Sequence, residues 1–350
     1  MAAGGCGCGA RRAHDPLLLF SYHSSWLPHL PAKFQTARAA VDANAAFLEA
    51  VAGAAVGPEG DAPLSDRAGA EAARLAAAAA PPSAADLEKA RYVLKNAVRD
   101  WGAEGAAERE ASYGRLVAAL AAHVPPPPDP VHAPMHSRPR ILCPGAGLAR
   151  LPVELAWRGY RAEGNEFSYF MLLASAFILN RLDAATLHPH VLTSTNVVAD
   201  ADQVRGVAIP DAHPAAALPA AGLLSMVAGD FCEVYARPDA AGSFDGVATC
   251  FFVDTTHSIL ATIDAVHHCL RPGGVWVNAG PLLYHWADAH TYLPGEEASV
   301  EVCLEDVLRC VAAAGFDLVS TARHPAPFNA DPRSMATAGY VNAEWVAVKK

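Results

Sequence analysis

The chain has 350 residues, 52% of them hydrophobic and 18% charged, with a formal net charge of −10 and a pI near 5.8. The length allows one large domain or two ordinary ones, and the composition excludes a chain too polar to bury a core. The acidic balance, with no basic cluster, argues against nucleic acid as a partner, because phosphates are met by a cationic surface. The eight cysteines are scattered, and only Cys6 and Cys8 lie close together. Neither a disulfide framework nor a structural zinc site is indicated, and no His/Cys/Asp spacing suggests another metal. The longest apolar run, Phe170 to Leu179, is too short to cross a bilayer, so no membrane partner is expected.

Residues 1–16, rich in Gly and Ala, read as a disordered leader. The reading is a cytoplasmic protein, with nuclear access not excluded and an Ala- and Arg-containing organelle leader as the weaker alternative. A helical pattern runs from Trp26 to Ala52. Residues 53 to 85 are poor in large apolar side chains and read as a helix end and loop. Ala85 to Val124 is strongly helical and is stopped at Pro125 to Pro128, since proline lacks a donor and fixes φ. This divides the chain into a helical region, residues 17–130, and a second domain, residues 131–350.

Beyond Arg138, strands and helices alternate. Arg140–Cys143, Tyr160–Gly164, Leu223–Val227, Phe244–Phe252 and Val275–Asn278 read as strands. Leu148–Gly159, Phe167–Leu182, Ile259–Leu270 and Leu304–Ala314 read as helices, and the stretch between Leu182 and Leu223 reads as irregular. Phe316–Ser320 and Glu344–Lys349 are two late strands with no good helix between them. The alternation predicts a doubly wound α/β sheet, mostly parallel, with an antiparallel hairpin at one edge.

The first strand runs into Gly145-Ala146-Gly147-Leu148-Ala149-Arg150, a glycine loop that lets backbone approach a ligand. The dinucleotide fingerprint would put a third glycine where Arg150 stands, which disfavours NAD or FAD. S-adenosylmethionine (SAM) has no pyrophosphate and tolerates the change. Glu166 falls about 20 residues past the loop, where a carboxylate meets ribose hydroxyls. Gly229-Asp230-Phe231 follows the third strand, a place where methyltransferases commonly carry an acid that bonds the adenine amino group and an apolar neighbour that packs on the ring. Each feature also has a plainer reading: a bare turn, a helix N-cap at Glu166, a solvated loop acid at Asp230.

The words themselves are specific. Pro144–Leu148, Gly164-Asn-Glu-Phe-Ser168, Ala228-Gly-Asp-Phe231, Ala248–Thr255 and Gly280–His285 resemble the carnosine N-methyltransferase family, as does Val98-Arg-Asp-Trp101 with Glu104-Gly105 and Glu108-Arg109. The resemblance runs from about Trp26 to the C-terminus. It implies a class I methyltransferase fold of Rossmann-like type with an added helical region, and transfer of the SAM methyl group to a ring nitrogen of carnosine (β-alanyl-histidine), giving anserine. By motif it implies that Asn96, Arg99, Gly145, Glu166, Asp230, Phe231 and Cys250 hold SAM, and that Asp254, His285 and Tyr340 hold the dipeptide. The family pattern carries Gln where Asn96 stands and is richer in tyrosine around Tyr340.

These residue types suit the chemistry. A neutral imidazole already has a lone pair near pH 7, so positioning matters more than a strong base. A carboxylate accepting one ring N–H exposes the other nitrogen and stabilises the imidazolium that forms. Asp254, at the end of the fourth strand, fits that role, although it also reads as a cap for the next helix. His285 reads either as a substrate contact or as a core histidine. Arg99 either folds over SAM with its helix as a lid or pairs on the surface with Asp100 or Glu104. The alternative functions are methylation of another histidine-containing peptide or protein, and a noncatalytic SAM-binding subunit. The sequence leaves oligomeric state open, a homodimer included.

Overall fold

The computed structural model describes residues 29–55, 83–287 and 299–350. The expected leader therefore lies outside the described residues, as does most of the loop expected over 53–85. Helix α1 (Leu30–Ala55) runs three residues further than its pattern suggested. Helix α2 (Ala84–Trp101) begins at Ser83, whose hydroxyl accepts the Asp86 N–H while the Asp86 carboxylate accepts the Ser83 N–H, a reciprocal capping box. Two short turns (Ala103–Gly105 and Ala106–Arg109) and a π-helical turn (Glu110–Gly114) lead into α3 (Arg115–His123).

The sheet follows. Strand β1 (Arg140–Pro144) leads through the glycine loop to α4 (Arg150–Trp157), then β2 (Arg161–Glu166) and α5 (Tyr169–Asn180). The stretch expected to be irregular holds a small antiparallel pair, β3 (Ala185–Leu187) with β4 (Val207–Ile209). Strand β5 (Leu224–Ala228), α6 (Phe231–Tyr235), β6 (Phe244–Cys250), α7 (Ile259–Cys269) and β7 (Leu270–Gly280) continue the alternation. Helix α8 (Leu304–Ala313) precedes β8 (Phe316–Pro327) and β9 (Gly339–Lys349), both longer than their apolar cores alone indicated.

The seven main strands lie in the order β5-β2-β1-β6-β7-β9-β8. The first five pair in parallel, while β9 runs antiparallel to β7 and β8. Burial on both faces explains why β1 and β6 read as near-continuous apolar runs. One face packs on α6, α7 and α8 through Phe244, Val247, Ile263, Val266 and Val307. The other carries α3, with Leu116, Val117 and Leu120 against Ile141 and Val275. Farther along, Phe47 and Val51 of α1 and Val93 to Trp101 of α2 share a core with Leu148, Val153 and Ile178. The Trp101 indole donates to the Leu148 carbonyl at 3.0 Å, which brings the end of α2 directly onto the glycine loop.

Candidate active site

The C-terminal ends of β1, β2, β6 and β7 and the α2 end meet at one edge, the place where open α/β sheets bind ligands. Gly145 has φ +64°, and a Cβ there would lie 2.5 Å from Cδ2 of Phe252. Glycine is required on both counts. Gly147, at φ +54°, faces open space, and its N–H donates to Oε2 of Glu166 at 2.8 Å. Oε1 of Glu166 accepts the Ser168 N–H at 2.7 Å. The carboxylate thus braces the loop with two of about four lone-pair sites and retains capacity for hydroxyl donors. Burial pushes its pKa up, opposed by the N–H groups of Ser168 and Gly147. The cap of α5 is Ser168, not Glu166.

Asp230 caps α6 by accepting the Glu233 N–H at 3.0 Å. Phe231 is only 2% exposed, edge-on to Phe252 and tilted against Tyr235. Its ring belongs to the core. Cys250 ends β6, and burial pushes its thiol up to about 12, so it stays a neutral thiol at physiological pH.

From above, α2 supplies Asn96 and Arg99. Asn96 is buried and donates to the Tyr92 carbonyl of its own helix. Arg99 reaches the fully buried Asp100 through Nε and one terminal nitrogen, at 2.8 and 3.1 Å, and its guanidinium stands 5.6 Å from the Phe328 ring centroid. Its partner is one of the two foreseen for a surface position, yet its side chain is only 14% exposed. Tyr113, delivered by the π-helical turn, donates to Asp100. Glu104 pairs instead with Arg205.

Arg150, which displaced the dinucleotide reading, is a buried strut. It bonds Asp211 at 2.6 Å, the Asp100 carbonyl at 3.0 Å and Glu154, and lies over the rings of Trp101 and Trp157. Arg109 also bonds Asp211 and, at 2.6 and 2.8 Å, the carbonyls of Arg99 and Gly102. Sequence reasoning did not reach Asp211; nothing local marks one acid in a loop as the partner of two distant arginines.

Beyond the end of β6, Asp254 is 2% exposed. Its Oδ2 accepts the Leu283 N–H at 2.7 Å, and its carbonyl accepts the His285 N–H at 3.0 Å. Burial raises its pKa, while the Leu283 N–H and His285 act in the opposite sense. Ser258, not Asp254, caps α7. His285 is exposed rather than part of the core. Trp286 beside it stacks on His257, with ring centroids 3.8 Å apart. Tyr340 lies 6.4 Å from Phe251 and 5.6 Å from Phe328, whose own rings are 4.7 Å apart. Phe251 holds φ +52° at the end of β6, a strained value for an aromatic residue and of the kind found at functional sites. Phe328 is a second residue that the sequence did not single out.

The strand order, the glycine turn after β1 and the acid ending β2 define the fold of the class I SAM-dependent methyltransferases. The family model for carnosine N-methyltransferase matches residues 77–350, and the chain belongs to that family. A carnosine N-methyltransferase of Rattus norvegicus is 40% identical over 242 residues, covering 68% of this chain and 57% of that protein. The one from Schizosaccharomyces pombe is 38% identical over 267 residues, covering 74% and 70%. Carnosine N-methyltransferase unmet of Drosophila melanogaster is 39% identical over 279 residues, covering 77% and 58%. The chain thus spans little more than half the length of the rat and fly relatives. Among the described residues, no helix is long and apolar enough to cross a membrane.

Proposed function

We propose that this protein methylates an imidazole nitrogen of a small histidine-containing dipeptide, carnosine in the first place, giving anserine. The observation that carries the proposal is the buried Asp254 carboxylate. It stands at the C-terminal end of β6, clasped to the 283–285 segment that bears His285. SAM, when bound, supplies the methyl group as an electrophile on its sulfonium.

In this reading Glu166 receives the ribose hydroxyls, and the turn at Gly145 lets the cofactor approach main chain. Asp230 takes the adenine edge, and Phe231 contributes through its N–H in the first turn of α6, because its ring is buried. Asn96, Arg99 and Cys250 close over the methionine end, so that residues 17–130 act as a cover for the 131–350 domain. Asp254 accepts one imidazole N–H, which directs the lone pair of the other nitrogen outward. The same carboxylate would meet the positive charge that the ring gains when the methyl group leaves the sulfonium and a thioether departs, and would hold the ring N–H proton until it is lost to solvent. His285 positions the dipeptide from the exposed side, and Tyr340, Phe251 and Phe328 form an aromatic wall that keeps water from the reacting line.

The test is incubation of the purified protein with labelled SAM and, separately, carnosine, homocarnosine, free histidine and a cell extract. Label is expected in carnosine at an imidazole nitrogen. Label only in protein would overturn the dipeptide reading, and SAM binding without any label would favour a noncatalytic subunit.

A further inference from the structure

The Arg99–Asp100 pair is unexpected for its place in α2. Adjacent residues of a helix point about 100° apart and do not face each other, yet here Nε and Nη2 of Arg99 meet both oxygens of Asp100 in the last turn. A third group closes the arrangement. The Tyr113 hydroxyl accepts from Nη2 of Arg99 at 3.3 Å and donates to Oδ1 of Asp100 at 3.1 Å. Tyr113 lies in the π-helical turn Glu110–Gly114, an irregularity of the kind that recurs at functional positions. The Asp100 side chain is fully buried and that of Arg99 nearly so. Desolvating such a pair offsets most of its attraction, so stability alone does not account for it.

The donors of Arg99 can be counted. A guanidinium has five N–H groups. Asp100 takes two and Tyr113 a third, all on Nε and Nη2. The other two are both on Nη1, which has no hydrogen-bond partner among the described residues. This end of α2 lies against the cofactor edge of the sheet. Trp101 bonds Leu148 of the glycine loop, Arg150 at the start of α4 donates to the Asp100 carbonyl, and the Cys250 thiol at the end of β6 feels the charges of Arg99 and Asp100. The carboxylates that share a chamber wall with Arg99 are already taken, Glu104 by Arg205 and Glu108 by the N–H groups of Asn329 and Ala330. Two free donors on a fixed cation match a carboxylate, and the carboxylate of SAM is on its methionine end.

We propose that Asp100 and Tyr113 are positioning residues, which together hold the Arg99 guanidinium with Nη1 presented to the α-carboxylate of SAM. This rests on the reading above that Arg99 closes over the methionine end, and it adds the two residues that aim it. Both act through Arg99. They order a long side chain before the cofactor arrives, so that binding does not have to supply that ordering. Without them Arg99 keeps its charge and loses its direction.

The experiment measures by calorimetry the Kd of SAM and of decarboxylated SAM, which lacks only the carboxylate, for the unaltered protein, Tyr113→Phe and Asp100→Asn, with the Tm of each. The unaltered protein is expected to favour SAM by roughly tenfold or more, the size of a charge-assisted bond. In Tyr113→Phe the SAM Kd rises roughly five- to tenfold, while that of decarboxylated SAM stays within about twofold. Asp100→Asn weakens SAM in the same selective way. Removing a negative charge beside Arg99 would by itself tighten carboxylate binding, so the weakening reports lost orientation. Should Asp100→Asn fail to fold, Tyr113→Phe, which removes a single hydroxyl, decides. Tighter SAM binding in Asp100→Asn, or a Tyr113→Phe variant that keeps the full preference or loses both compounds alike, overturns the positioning role alone. Equal affinity of the unaltered protein for the two compounds overturns the placement of Arg99 at the methionine end.

Discussion

Asp254 combines two properties that oppose each other. It is nearly sealed from solvent, and its proposed role requires it ionised. Its folded-state pKa lies above the ordinary carboxylate value because of burial. Ionisation in the folded protein therefore costs stability above that pKa, and the cost vanishes once pH falls below the unfolded value. Asp254→Asn retains an oxygen to accept the Leu283 N–H and removes the charge. It is expected to lower kcat/KM about 100- to 10,000-fold while raising Tm at pH 8, with the Tm advantage shrinking toward pH 4. A Tm advantage that stays constant across this range would show that Asp254 carries no buried charge. Gly145 gives a second prediction at this scale. Gly145→Ala combines a left-handed backbone cost of about 1–2 kcal/mol with a clash against Phe252. Both Tm and SAM affinity should fall, the first by scanning calorimetry and the second by titration.

At the scale of elements, α2 precedes the alternating strands and helices yet packs directly on the glycine loop. Its end is fastened to the sheet by Trp101 on Leu148 and by the Arg109–Asp211–Arg150 cluster. Asp211→Ala leaves two buried guanidinium groups without their shared carboxylate, and should destabilise by about 3–5 kcal/mol in denaturant unfolding. Arg99→Ala, by contrast, should leave the fold standing and raise the SAM Kd roughly tenfold, about 1.4 kcal/mol. Unchanged affinity in calorimetry would show that α2 is scaffold and not a cover for the cofactor. The helix itself was readable within the helical block from Ala85 to Val124, though its capping box at Ser83 was not foreseen. The β3–β4 pair was not, because three-residue strands carry too little alternation to separate from loop.

For the whole molecule, the helices before the proline run and the sheet after it share two buried clusters. Amides in the second half of α2 should therefore exchange as slowly as those of β1. Saturating SAM should slow exchange further at residues 94–101 and 145–148 together, as read by hydrogen-exchange mass spectrometry. Protection at the glycine loop alone would separate the helix from cofactor binding.

By itself the amino-acid sequence determined the order of the main-sheet strands and the longer helices, the glycine turn after the first strand, the acids at the strand ends and the family resemblance. These depend on residues within a few positions of one another, or on ordered strings, and both are local properties. Tertiary structure alone decided which partner each charged residue takes. Arg150, read only as a missing glycine, meets Asp211 sixty-one positions away. Phe231 packs edge-on against Phe252, twenty-one positions further along the chain. Asp254 proved to clasp the 283–285 segment, and the helix cap that the sequence also allowed there falls to Ser258. The physical reason is common to all three. A buried polar or aromatic group is satisfied by whatever the packed elements bring within bonding distance, and packing joins segments that lie far apart along the chain.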